Sequence, residues 1–208
     1  MTTSWSTSAS EKPCVPSSAG PAELLSDLAS ALSSVGAQWY VFGAQAALVW
    51  GRPRLTTDVD VTVKCSVPTD HLVRALDARG FTLRLDATET FIRTTRVVPL
   101  EYRASGLALD VVLAGPGLED LFLERAVPID VAGTVVPFIS PEDLIVTKVL
   151  AGREKDIEDV RGVFSERGSA LNVDQIRTTI TLLEDALGQS DLMPVFDAEL
   201  SRWQRTGQ

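Results

Sequence analysis

The segment from Trp39 to Val63, WYVFGAQAALVWGRPRLTTDVDVTV, constrains this chain more than any other. An apolar run ends at Gly43, and a short helical stretch and a basic Gly51-Arg52-Pro53-Arg54 turn follow. A Val-rich strand then carries Asp58 and Asp60. Alternate residues of a strand point to the same face, so the two carboxylates project together, while Val59, Val61 and Val63 fill the opposite, core-facing side. Like charges held that close repel each other unless a cation sits between them. Asp is also a poor strand former, and two of them inside a Val-rich run need a reason. A divalent metal supplies one. Paired carboxylates holding a metal beside a glycine turn are what phosphoryl and nucleotidyl transfer require.

The rest of the composition bounds that reading. At 208 residues, with 45% hydrophobic and 23% charged, the chain can bury a full core, either as one domain or as a core with a small helical appendage. No apolar run approaches the roughly 20 residues that span a bilayer, and the first residues lack the order of a secretory signal. The expectation is a cytoplasmic protein with no membrane contact. Cys14 and Cys65 make neither a disulfide framework nor a zinc site. The formal net charge of −9 argues against a broad non-specific grip on nucleic acid. It suits an enzyme of small molecules, or a protein that docks on a basic partner.

Residues 1–20, rich in Ser, Thr and Pro, read as a flexible tail. A core follows over 21–139 and a helical region over 140–208. Within them the patterns predict helices over 22–35, 44–50, 68–80, 118–125, 140–152, 154–165, 173–187 and 191–204. Strands are predicted over 38–42, 58–64, 81–85, 91–95, 98–103, 107–113, 127–131 and 135–138. Strands dominate the middle and helices the end, which makes the fold class α+β.

A third carboxylate joins the pair. Leu107–Leu113 is an apolar strand with one acid, Asp110, and an acid inside such a run is costly to bury without a partner. It is either a paired core Asp, a strand-end acid, or the neighbour of Asp58 and Asp60. The order Phe42-Gly43-Ala44, Asp58-Val59-Asp60, Leu109-Asp110-Val111 resembles the nucleotidyltransferase (polymerase-beta-like) superfamily over Val41 to Leu113. The resemblance implies a mixed sheet flanked by helices, with phosphates of an NTP received at the Gly43 turn. It also implies two Mg²⁺ ions held by Asp58, Asp60 and Asp110, with Asp110 orienting or deprotonating an acceptor hydroxyl. The family turn is usually Gly-Gly or Gly-Ser. Ala44 keeps the backbone donors but lacks the hydroxyl.

The segment Ser140–Arg161, with Lys148, Arg153, Lys155, Asp156 and Asp159, resembles the AbiEii-type branch, known as toxin components of type IV toxin–antitoxin systems. That resemblance implies that Lys148 contacts nucleotide phosphates, that Asp156 or Asp159 orients basic residues, and that a cognate antitoxin exists. Lys148, Lys155 and Asp159 would share one helical face if the helix continued past Gly152. The same stretch also reads as a solvated mixed-charge face. Arg52 and Arg54 read equally as phosphate ligands or as neutralising surface charges, Arg161 as surface, and Glu101 as a fourth acid or half of a cross-strand ion pair. His71 reads as incidental, and Trp39, Tyr40 and Trp50 as core.

The sequence therefore predicts Mg²⁺-dependent transfer of NMP from an NTP to an acceptor hydroxyl, with Gly43, Ala44, Arg54, Lys148 and Lys155 around the nucleotide. The acceptor is left open among tRNA, a small molecule of the aminoglycoside kind, and protein. A non-catalytic nucleotide- or partner-binding module is the remaining alternative.

Overall fold

The computed structural model describes residues 20–84 and 89–206. The predicted tail lies outside the described residues, apart from Gly20. Chain order is α1 (Pro21–Ser34), β1 (Gln38–Phe42), α2 (Gly43–Trp50), β2 (Asp58–Lys64), α3 (Thr69–Asp77), β3 (Phe81–Leu83), α4 (Glu89–Thr95), β4 (Val97–Tyr102) and β5 (Leu107–Leu113). Then come α5 (Leu118–Arg125), β6 (Val127–Val131), β7 (Thr134–Phe138), α6 (Pro141–Ala151), α7 (Glu154–Arg167), a short 3-10 turn, α8 (Val173–Leu187) and α9 (Leu192–Thr206).

The strands form one mixed sheet in the order β3-β4-β5-β2-β1-β7-β6. β2 and β5 run parallel, as do β1 and β7, and the other neighbours are antiparallel. This is the expected α+β class. Val59, Val61 and Val63 are buried, as the alternation requires. The other face of β2 is covered too: Thr62 is buried and Asp60 half-buried, because α2 packs there and Tyr40 lies in register with Thr62. α1 closes the core through Leu24, Leu25, Leu28 and Leu32. The C-terminal helices join the same core through Leu144, Ile145, Val163, Phe164, Ile176 and Phe196. Among the described residues no helix is long and apolar enough to cross a membrane.

One predicted strand is a helix. Residues 91–95 form the last turns of α4, although Phe91, Ile92, Thr94 and Thr95 all favour strands. Only Ile92 is buried, so no alternating apolar face exists to pair. The Thr95 hydroxyl donates to the Phe91 carbonyl (2.9 Å), and Arg96 N–H to that of Ile92 (2.7 Å). Arg96 then takes φ 58° and turns the chain into β4. β3 stops at Leu83, and Leu85, the predicted strand end, lies outside the described residues.

Candidate active site

The register of the sheet sets the geometry. In the parallel pair β2–β5, Asp60 lies opposite Asp110 and Asp58 opposite Ala108. On the other side Asp60 faces Phe42, the residue before α2. Gly43 begins that helix with φ 64°, and a Cβ there would stand 2.1 Å from Asp60 Oδ2. The glycine is thus required twice, for its left-handed backbone and for the carboxylate lying over it. The first-turn N–H groups of α2, including those of Gly43 and Ala44, open beside the carboxylates, where an anion is favoured. Asp58, Asp60, Asp110, Gly43, Ala44, Arg54, Lys148 and Lys155 all line one cavity of about 330 Å³. The three carboxylates and the five residues expected around the nucleotide therefore meet at one place.

The three carboxylates are differently engaged. Asp58 accepts a hydrogen bond from Thr56 Oγ1 (2.5 Å). Asp110 is ion-paired with Arg84. Among the described residues Asp60 has no such partner. Burial, then the charges of Asp58 and Asp110, push its carboxyl up to about 6, against the pull of Lys148 and Arg153. Among the described residues, no group of three or more His, Cys, Asp or Glu side chains gathers around a point that could hold a metal ion. Asp58 and Asp110 are held by their own partners. The donor set nevertheless fits Mg²⁺. It is all carboxylate oxygen on one sheet face, and the negative charge that raises Asp60 is what a divalent cation relieves.

The opposite wall is an ion network at the α6–α7 junction. Gly152 adopts φ 64° and ends α6, so the single long helix on which Lys148, Lys155 and Asp159 would share a face is not formed. Lys148 and Asp159 still meet, because α6 and α7 pack against each other. Lys148 Nζ lies 3.1 Å from Asp156 Oδ1 and 2.7 Å from Asp159 Oδ2, with all three side chains buried. Arg153 adds a second cation to Asp156 (2.5 Å), and Arg54 binds Asp159 through two nitrogens (2.8 and 3.1 Å). Burial alone would raise both carboxyls. Arg153 and Lys148 hold Asp156, and Arg54 and Lys148 hold Asp159, below the usual carboxylate range. Lys155 is exposed at the cavity mouth and makes no ion pair among the described residues.

Other expectations resolve simply. Arg54 is a network residue, while Arg52 turns away and donates to Ser165 Oγ (2.8 Å). Arg161 is half-buried rather than free surface, in a two-point pair with Glu199 (2.8 and 2.6 Å). Tyr40 and Trp50 are core, and the Trp50 indole N–H donates to the Ile139 carbonyl (2.7 Å). His71 is exposed. Glu101 is exposed on β4 and makes no cross-strand ion pair among the described residues. Sequence reasoning missed Arg84 and Thr56, the partners of the two outer carboxylates. Thr56 carried a signal, two residues before Asp58. Arg84 carried none, because β3, which it follows, reaches the Asp110 strand only across β4.

Similarity to known proteins agrees with this geometry. The fold is similar to the antibiotic-resistance factor ANT(2'')-Ia in its solution structure (16% identity, TM-score 0.54, 80% of this chain and 92% of that one). It is similar to the same protein crystallised with adenylyl-2''-tobramycin (16%, TM-score 0.54, 80% and 98%). A third similar structure is the lincosamide antibiotic adenylyltransferase LnuA with lincomycin bound (15%, TM-score 0.50, 70% and 97%). No curated protein matches the sequence. Residues 23–187 match the family DUF6036, described as nucleotidyltransferase of unknown function, and the chain belongs to that nucleotidyltransferase family.

Proposed function

We propose that the chain moves a nucleoside monophosphate from an NTP to the hydroxyl of a small-molecule acceptor, with two Mg²⁺ ions held by Asp58, Asp60 and Asp110. The observation that supports this best is the register that sets Asp110 beside Asp60, next to the first turn of α2. Bound there, the metal would neutralise the triphosphate and stabilise charge on the attacking and leaving oxygens. The N–H groups of Gly43 and Ala44 receive phosphate oxygens at the positive end of the helix. Lys155, exposed at the cavity mouth, meets the outer phosphates. Lys148, clamped by Asp156 and Asp159, supplies a fixed positive centre behind them. The acceptor oxygen attacks the α-phosphorus, its bond to pyrophosphate breaks, and Asp110 takes the hydroxyl proton. Most of the work is positioning and charge neutralisation.

An acceptor bearing amino groups suits the acidic balance of 28 Asp and Glu against 19 Lys and Arg, and the exposed Glu101 on the same sheet face. The similar structures holding adenylyl-tobramycin and lincomycin support a small acceptor. A second reading is a toxin of the AbiEii type acting on tRNA, with an antitoxin as partner. One observation favours it: a second cavity of about 440 Å³ gathers Arg52, Arg161 and Arg202 around Trp203.

Incubation of the protein with each α-³²P-labelled NTP, Mg²⁺ and candidate acceptors decides between them. A labelled small molecule made by wild type and lost in Asp60→Asn supports the first reading, and labelled tRNA supports the second. Nucleotide binding with no transfer to any acceptor overturns both and leaves a binding module.

A further inference from the structure

The Asp-bearing sheet face continues past the carboxylates to the β3 edge. Pro99 on β4 lies opposite Asp110, and Arg84, just after β3, donates its backbone N–H to the Pro99 carbonyl (3.1 Å). Arg84, Pro99, Asp110, Asp60 and Phe42 thus form one row across five neighbouring chain segments. Strand spacing puts the Arg84 and Asp110 backbones about 10 Å apart. The guanidinium spans that gap over the buried Pro99 to pair with Asp110. It bypasses Glu101, the exposed acid on the nearer strand. Both side chains of the pair are only about one-third exposed (33% each). The target is thus one of the two outer carboxylates that the three-carboxylate site needs, the other being Asp58, which accepts from the uncharged Thr56 hydroxyl.

We propose that Arg84 is a built-in competitor for Asp110. It neutralises the carboxylate while the site is empty of metal, and it must release it for the third ligand to join Asp58 and Asp60. This rests on the two-metal reading above. Arg84 touches neither β2 nor α2 in that role, and it acts on the metal through Asp110 alone. Removing its charge therefore makes the metal site better, whereas removing a metal-supporting or purely structural residue makes it worse.

The test is Mn²⁺ binding to the full chain without nucleotide, followed by the electron paramagnetic resonance signal of free Mn²⁺. Arg84→Met is expected to lower the Mn²⁺ Kd by about twofold to fivefold, the range for losing a partly exposed ion pair. Arg84→Lys, which keeps the charge, is expected to stay near wild type. Adding Asp110→Asn to Arg84→Met is expected to abolish the gain. Arg84→Gln carries the comparison should the Met variant fail to fold. Affinity unchanged or weakened in a folded, uncharged variant overturns the inference alone. No Mn²⁺ binding by any of the proteins overturns the two-metal reading, and this inference with it.

Discussion

Gly43 and Asp60 are one unit at the scale of single residues. The carboxylate occupies the volume a Cβ would need, and its neighbours Asp58 and Asp110 leave it in a negative, half-buried position. A carboxyl raised to about 6 from 3.8 binds its proton more tightly in the folded than in the unfolded chain. Its ionisation therefore costs stability fully above about pH 6, and the cost fades as pH falls toward 4. Asp60→Asn is expected to raise the stability of metal-free protein at pH 7.5 by roughly 2–3 kcal/mol, with little gain at pH 4. Thermal melts at the two pH values measure it, and an equal gain at both would show that charge is not the cause. Gly43→Ala acts in the opposite sense. A left-handed alanine costs about 1–2 kcal/mol, and its methyl group pushes the Asp60 carboxylate aside. Reduced stability together with lost Mn²⁺ binding is the expected result.

At the scale of elements, the cleft wall depends on two helices that Gly152 keeps separate. Lys148 on α6 bridges Asp156 and Asp159 on α7, so the ion network is also the joint between the helices. Lys148→Met leaves two buried carboxylates with only Arg153 and Arg54, and is expected to cost about 3 kcal/mol by urea unfolding. A cost near zero would mean that the arginines alone suffice. These elements were legible to different degrees. β1, β2 and β5 stand where their apolar runs put them: Val59, Val61 and Val63 of β2 and Leu109 and Val111 of β5 alternate into the core, and β1 buries Tyr40 and Val41 on its two faces. Lys148 and Asp159 were grouped correctly for an incorrect reason: they meet by helix packing and not along one helix. α4 was misread because strand propensity without a face to bury does not make a strand. The Arg84–Asp110 pair was invisible because it depends on β3 pairing with β4 and β4 with β5, which no local pattern encodes. The candidate site was legible largely because its residues cluster in two sequence segments plus one aspartate.

At the scale of the whole molecule, a formal charge of −9 opposes compaction, while in the cleft lining Asp58, Asp60, Asp110 and Asp156 are balanced by Arg54, Lys148, Arg153 and Lys155, so the excess lies on the rest of the surface. Two effects of added salt can then be separated. NaCl screens general self-repulsion and stabilises the fold modestly, with no preference for any residue. Mg²⁺ at the same ionic strength adds specific binding to the native state, which stabilises by about 2.7 kcal/mol when the free metal is a hundred times its Kd. In wild type the melting temperature is therefore expected to rise several degrees more in MgCl₂ than in NaCl of matched ionic strength. In Asp58→Asn/Asp60→Asn the two salts are expected to give the same curve, because only screening remains. A surplus for MgCl₂ that survives in the double variant would place the cation elsewhere on the acidic surface. The three aspartates would then be a strained but metal-free part of the fold.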